Sequence, residues 1–553
     1  MNKKVCSFPI LFALLALLIG TCAVVFPASA QAAPISTGSI TVRGTVASSY
    51  DAYQIFSANV VDGDSDAKIA TDLAWASDAV RDAALPVLHS AGMPNSQTAA
   101  QEAAEWLNTD SHLTSALSAQ LARSLQSSGA VSVALNAGTT AELPCGYWLI
   151  VADDDAIAQG EAGTAPIMAL VGGSAVTVKP KAATPKVAKH VLEDSTAAWQ
   201  KAADATVADD LYWRLSATVP AGLTAYDTYT VRFVDTMSAG LDPSKVAASM
   251  RVYVAAGAEG GFDAVACEGG NANSTPAKGW TDITSQCKVS VEGNAFTVRT
   301  GDLVAALGGT DAFTAGARVV AVYNAPLNSA CNHGIAKGNP NEVYLRYPRS
   351  PLVDQSGDAG FTRTPSDDAC AYTWDLALTK RGSDGDKPLA GAVLSIADDR
   401  GRTLAADGTW DAESKATVTT GEDGRATVSG VDSGKLEVRE LKAPKGYSAF
   451  EGTRSVTVKA EGLDVDQVAA AKPKLTITAE SPLRADSADG STGSLEASLI
   501  NTPTGTPPSI TTGGFMPSTG DMAMYAAAAA AVAGAALIVV ALLVKRGGGS
   551  HKE

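Results

Sequence analysis

"VRELKAPKGY", residues 438 to 447, decides how the C-terminal half of this chain is read. If the residues leading into it form a strand, Leu436, Val438 and Glu440 share one face, because side chains alternate with a period of two. A face that buries two apolar side chains therefore ends in a carboxyl group. Two other segments of the same region do something similar. "WDLALTK" sets Lys380 in phase with Leu376 and Leu378, and "EASLIN" sets Asn501 in phase with Ala497 and Leu499. An isolated buried Lys or Glu costs several kcal/mol unless its charge is neutralised.

One reaction removes that cost. A neutral Lys380 amine attacks the Asn501 carboxamide, ammonia leaves, and an amide crosslink remains. Burial disfavours both charged forms, so a neutral nucleophile and a protonated acid can coexist. Glu440 would donate to the Asn carbonyl and relay protons, as a positioned acid–base does. The competing explanation is an ordinary Lys–Glu ion pair capped by the Asn. The same pattern recurs earlier. Lys189 lies in phase with Val187 and Val191, Asp235 with Val231 and Phe233, and Asn341 with Val343, Leu345 and Tyr347. Asn339 shares that phase and remains an alternative to Asn341.

The chain of 553 residues has room for several cores, and its charged fraction is low at 18%. A net charge of -16 argues against a phosphate-tracking surface, so nucleic acid is not an expected partner. The basic start "MNKK", an apolar run and "PASAQAA" predict a signal peptide over 1–30. At the other end Met522 to Val544 carries no charge and is long enough to span a bilayer, with a short basic tail at 545–553. The mature chain keeps Cys145, Cys267, Cys287, Cys331 and Cys370, an odd number. Proximity suggests the pairs Cys267 with Cys287 and Cys331 with Cys370. No Cys/His cluster calls for a metal, nothing calls for a cofactor, and the acidic stretches "VDGDSDAK" and "RGSDGDKP" lack the full calcium-loop spacing.

Between the two ends the fold class is mainly β. Residues 36–181 read as strands with an Ala-rich helical insertion from about 66 to 128. Residues 183–352 and 372–503 read as tandem Ig-like β-sandwiches, with "VDQSGDAGFTRTPSDDA" as a linker or long loop between them. Residues 504–515 read as an extended linker. His89, His112, His190 and His333 are scattered, and no hydrolase or phosphate-loop pattern is present, so an enzyme acting on other molecules is not expected.

"FMPSTGD" stands just before the apolar span, with Met516, Pro517, Ser518, Thr519 and Gly520 forming the pentapeptide at 516–520. Pentapeptide, apolar span and basic tail in that order resemble the cell-wall sorting signal of Gram-positive bacteria. The resemblance implies cleavage after Thr519 by a sortase and transfer of the Thr519 carbonyl to an amine, although Met516 replaces the usual Leu. The pattern "LALTK … KPLAGAVLSI … VRELKAPKGY … LINTP" resembles Cna B-type domains, which implies a Lys380–Asn501 isopeptide bond assisted by Glu440. "LYWRLSATVP", "YTVRFVDTMSAGL" and "GNPNEVYLRY" look like the isopeptide-forming second domain of backbone pilins, which points to Lys189–Asn341 with Asp235. "VTVKPK", residues 176 to 181, is similar to the pilin motif in which a Lys receives the next subunit. Lys181 holds that position, Lys179 replaces the usual Tyr, and Lys186 is nearby. Together these motifs resemble SpaA-type major pilins. The implied partners are pilin-class and housekeeping sortases, further copies of the chain, minor pilins and peptidoglycan, with adhesion at the cell surface. The alternative is a monomeric wall-anchored adhesin that uses the same domains as a stalk.

Overall fold

The computed structural model describes residues 36–505, apart from 45, 65–66, 110, 181–183, 269–270 and 399. The signal peptide, Lys181, the sorting motif Met516–Gly520, the apolar span and the tail lie outside the described residues. Among the described residues no helix is long and apolar enough to cross a membrane. Strands dominate, arranged as β-sandwich units in tandem behind a mixed N-terminal unit.

In the first unit the long strand Ser49–Asp62 pairs antiparallel with Lys68–Trp75 on one side and Gly146–Ala152 on the other. Helices Asp78–Ser90, Ala100–Asn108 and Ser115–Ser128 pack their apolar faces on this sheet through Val80, Leu88, Leu121 and Leu125. The alanines of "ATDLAW" suggest helix, yet this segment is strand. The free edge of Ser49–Asp62 supplies its ladder. The helix starts only at Asp78, where the Ser77 side chain accepts from Val80 N at 3.2 Å.

The second unit packs two sheets face to face. One runs in the order Ala198–Gln200, Lys186–Glu193, Tyr212–Val219, Ala317–Asn324, Arg251–Ala256, Thr281–Asp282. The other contains Ala202–Asp204, Asp367–Tyr372, Asn339–Pro348, Arg232–Met237, Ala295–Arg299 and Lys288–Glu292. Trp213, Phe233, Tyr323 and Tyr347 fill the space between them. The stretch expected to link the sandwiches belongs partly to this sheet. Phe361–Arg363 and Asp367–Tyr372 both pair with Asn339–Pro348, because the Ala369, Cys370, Ala371 and Tyr372 side chains have buried positions to fill. The strand that carries Asn341 is therefore not the last of its unit.

The third unit places Trp374–Gly382 between Arg425–Val431 and Ser494–Pro503, the latter pairing parallel. Val393–Ala397, Gly434–Lys442, Thr453–Glu461 and Lys474–Ala479 form the core of the facing sheet. Leu376, Leu378, Leu394, Ile396, Val438, Val456 and Leu499 meet in the middle, the alternation expected of half-buried strands.

Side chains bridge the second and third units. The Trp374 indole donates to Asp204 at 2.7 Å, and His333 Nδ1 lies 2.6 Å from Asp375 Oδ1. Hydrogen bonding to Asp375, then to Cys331, raises the His333 pKa from 6.5 to about 10. A pKa raised on folding gives stability that is complete below the ordinary value and lost as pH climbs through the folded one. The melting-temperature advantage of the wild-type chain over His333→Gln is thus expected to be full at pH 6 and to shrink between about pH 7 and pH 10. A pH series of thermal scans checks it, and a constant difference across the series contradicts it.

Candidate functional site

Glu440 points into the sandwich because Gly434–Lys442 alternates as expected, with Leu436, Val438 and Glu440 all inward. Lys380 and Asn501 come from neighbouring strands of the opposite sheet, where the parallel register sets Lys380 beside Leu499 and Gly382 beside Asn501. The three polar groups meet. Lys380 Nζ donates to Asn501 Oδ1 and lies 3.1 Å from Glu440 Oε1. Asn501 Nδ2 donates to the two Glu440 oxygens at 2.9 and 3.1 Å. The Phe450 backbone N–H fixes the carboxyl group at 3.0 Å, and the Phe450 ring lies 5.8 Å from the amine. Burial lowers the Lys380 pKa to about 8 against the opposing pull of Glu440. At pH 7 a pKa of about 8 leaves roughly a tenth of the amine neutral, far more than an ordinary lysine would have.

In the second unit Lys189 lies on one sheet and Asp235 and Asn341 on the other, all three fully buried. Lys189 Nζ donates to Asp235 Oδ2 and, at 2.9 Å, to the Tyr323 hydroxyl. Tyr323 Oη donates to Asp235 Oδ2 at 3.1 Å and accepts from Asn341 Nδ2 at 2.8 Å. Burial lowers the Lys189 pKa to about 8 and raises that of Asp235. Asp235 Oδ1 and Asn341 Oδ1 are buried without a partner, and an unsatisfied buried acceptor costs about 1–3 kcal/mol.

The two asparagines that share a phase have different surroundings. Asn339 is held by backbone: its Oδ1 accepts from Asn332 N at 2.8 Å, and its Nδ2 donates to Asn332 O and Ala371 O. It braces a loop, whereas Asn341 reaches the cluster. Tyr323 has no counterpart in the sequence argument. Its strand reads "ARVVAVYN", apolar on both faces, and one tyrosine in such a run looks like packing.

The five cysteines among the described residues are free thiols, so neither suggested pair forms. Cys267 lies on the ribbon formed with Asn271–Pro276, while Cys287 donates to Ile283 O at 3.3 Å against the main core. Cys370 is buried in its strand with Sγ toward Ala371 O, and Cys331 hydrogen-bonds to His333. Closeness in sequence did not translate into facing side chains. Among the described residues no group of three metal-ligating side chains gathers. In the two acidic stretches, Asp62 instead accepts from Ser174 and Asp384 from Tyr447. Lys179 and Lys186 are both exposed.

Comparison with known proteins finds matches at three levels. Residues 375–472 match the SpaA prealbumin-like fold domain. The chain is also 32% identical over 143 residues to the trypsin-resistant surface T6 protein of Streptococcus pyogenes serotype M6. That match takes in 24% of each protein, so the chain spans about a quarter of the length of the curated relative. Among solved structures, the T6 backbone pilin of serotype M6 Streptococcus pyogenes is 17% identical with a TM-score of 0.46, covering 85% of this chain and 98% of that one. The major pilin SpaD of Corynebacterium diphtheriae is 14% identical with a TM-score of 0.41, covering 85% and 98%.

Proposed function

We propose that this chain is the structural backbone subunit of a sortase-assembled pilus anchored to the cell wall. Subunits are joined by an amide between Thr519 of one copy and Lys181 of the next, and each is stiffened by internal Lys380–Asn501 and Lys189–Asn341 bonds. The observation that carries the proposal is the pair of buried Lys–acid–Asn clusters in the two sandwiches that lie between Lys181 and Thr519. A covalent polymer under tension needs its crosslinks on that path, and a chain that only displays a ligand does not.

Each bond forms by the same overall exchange. The neutral Lys nitrogen attacks the Asn carbonyl carbon, and the buried acid supplies the proton that the departing nitrogen needs, directly or through a neighbouring group. The C–N bond of the carboxamide breaks, ammonia leaves, and the acid ends as it began. One event per site is not turnover, so the chain is a structural protein that crosslinks itself. Its partners are then pilin-class and housekeeping sortases, further copies of itself, minor pilins and peptidoglycan, and it works at the cell surface in support of adhesion.

Boiling a cell-wall digest in SDS and immunoblotting tests the polymer. The wild-type chain is expected to give a high-mass ladder and Lys181→Ala a monomer. A ladder that survives the substitution moves the acceptor to Lys186 or Lys179. A single wall-linked band in both strains contradicts the pilus and leaves the monomeric adhesin.

A further inference from the structure

The two clusters are not built alike. In the third unit Asn501 Nδ2, the nitrogen that leaves as ammonia, donates directly to both oxygens of Glu440. In the second unit no hydrogen bond joins Asn341 to Asp235 among the described residues. The Tyr323 hydroxyl stands between them and spends its full capacity of one donor and two acceptors on the reacting groups. It donates to Asp235 Oδ2 at 3.1 Å and accepts from Asn341 Nδ2 at 2.8 Å and Lys189 Nζ at 2.9 Å. A proton leaving Asp235 for the Asn341 nitrogen has this oxygen in its way.

We propose that Tyr323 is a catalytic residue of the Lys189–Asn341 condensation, relaying a proton from Asp235 to the departing nitrogen of Asn341. The proposal rests on the crosslinking function above. As the Lys189 nitrogen bonds to the Asn341 carbonyl carbon, Nδ2 loses its amide resonance and becomes an acceptor. The Tyr323 hydroxyl then turns from Asp235, its proton passes to Nδ2, and the Asp235 proton replaces it on the phenol. The C–Nδ2 bond then breaks and ammonia departs. The new amide nitrogen, still carrying an extra proton, returns it to Asp235, so Tyr323 and Asp235 are regenerated. Burial holds the Tyr323 phenol well above its ordinary value, so it remains a hydroxyl between transfers. Its strand position serves this role. Tyr323 lies on the sheet that carries Lys189, with its ring edge-on to Phe296 at 4.7 Å, so the hydroxyl projects toward the sheet of Asp235 and Asn341.

Tyr323→Phe keeps the ring and removes only the hydroxyl. After a pulse of synthesis, samples taken at intervals are digested and the Lys189–Asn341 and Lys380–Asn501 branched peptides are quantified. The expected result is a normal Lys380–Asn501 time course, with Lys189–Asn341 formation slowed by roughly a hundredfold, the scale of a lost proton-transfer group. A protein labelled throughout with 3-fluorotyrosine, whose phenol is more acidic, covers the case in which the Phe variant folds poorly. It is expected to change the rate in the second unit and not in the third. Lys189–Asn341 formation at the wild-type rate in the Phe variant, or an unchanged second-unit rate in the fluorinated protein, overturns the relay. Absence of the branch from the wild-type chain overturns the crosslinking function itself, a separate and distinguishable failure.

Discussion

Glu440→Ala is expected to leave the third unit without its crosslink, so the variant retains the ammonia that the wild-type unit loses, a difference of about 17 Da for that bond. Two costs then add. Lys380 and Asn501 are 121 positions apart, and by analogy with a disulfide a closure of that length contributes about 4–5 kcal/mol. The substitution also removes the carboxyl group that accepts from Asn501 Nδ2 and faces the Lys380 amine, leaving a buried amine without its counter-charge. A fall of about 10–20 °C in the melting temperature of this unit follows from the crosslink alone. Intact-mass spectrometry and thermal scans check both numbers. A variant that keeps the bond and the melting temperature contradicts the role given to Glu440.

Pulling on the chain between handles at positions 181 and 505 is expected to show little extension in the wild-type protein and far more in Asp235→Ala. With both proposed bonds formed, tension in the wild-type chain would cross from Lys189 to Asn341 and from Lys380 to Asn501, bypassing everything enclosed. The section from Asn341 to Lys380 is not bypassed. It contains Phe361–Arg363 and Asp367–Tyr372, strands that pair with Asn339–Pro348. Ala369 lies opposite Asn341 and Ala371 opposite Asn339, so force that enters at Asn341 and leaves after Tyr372 opens this pairing from one end. A single lengthening on the order of 100 Å is expected, given about 3.3–3.6 Å per extended residue. Asp235→Ala loses the second-unit bond and releases the enclosed segment as well, for a further lengthening on the order of 500 Å. Single-molecule force spectroscopy reads both steps. Equal extension of the two proteins contradicts the Lys189–Asn341 bond.

What the sequence makes legible here depends on period. Strand alternation alone places Lys380, Glu440, Asn501, Lys189, Asp235 and Asn341 inward, because an inward polar residue interrupts an otherwise apolar face. Tyr323 escapes the same argument because its strand is apolar on both faces and a tyrosine does not interrupt it. The strand at Asp367–Tyr372 was hidden by the turn-forming residues before it, which suggest a linker. Only the register with Asn339–Pro348 reveals what it pairs with. The cysteine pairs failed because proximity in sequence says nothing about which way side chains point. Asn339 and Asn341 were indistinguishable by phase, since two residues on one face differ only in what the opposite sheet and the neighbouring loop offer them.

Peptide mapping of the folded chain by tandem mass spectrometry is the decisive measurement. It should return two branched peptides, one joining Lys380 to Asn501 and one joining Lys189 to Asn341, each lighter than the sum of its linear parts by about 17 Da. Linear peptides with unmodified Lys380, Asn501, Lys189 and Asn341 would contradict the account and reduce both clusters to buried ion pairs.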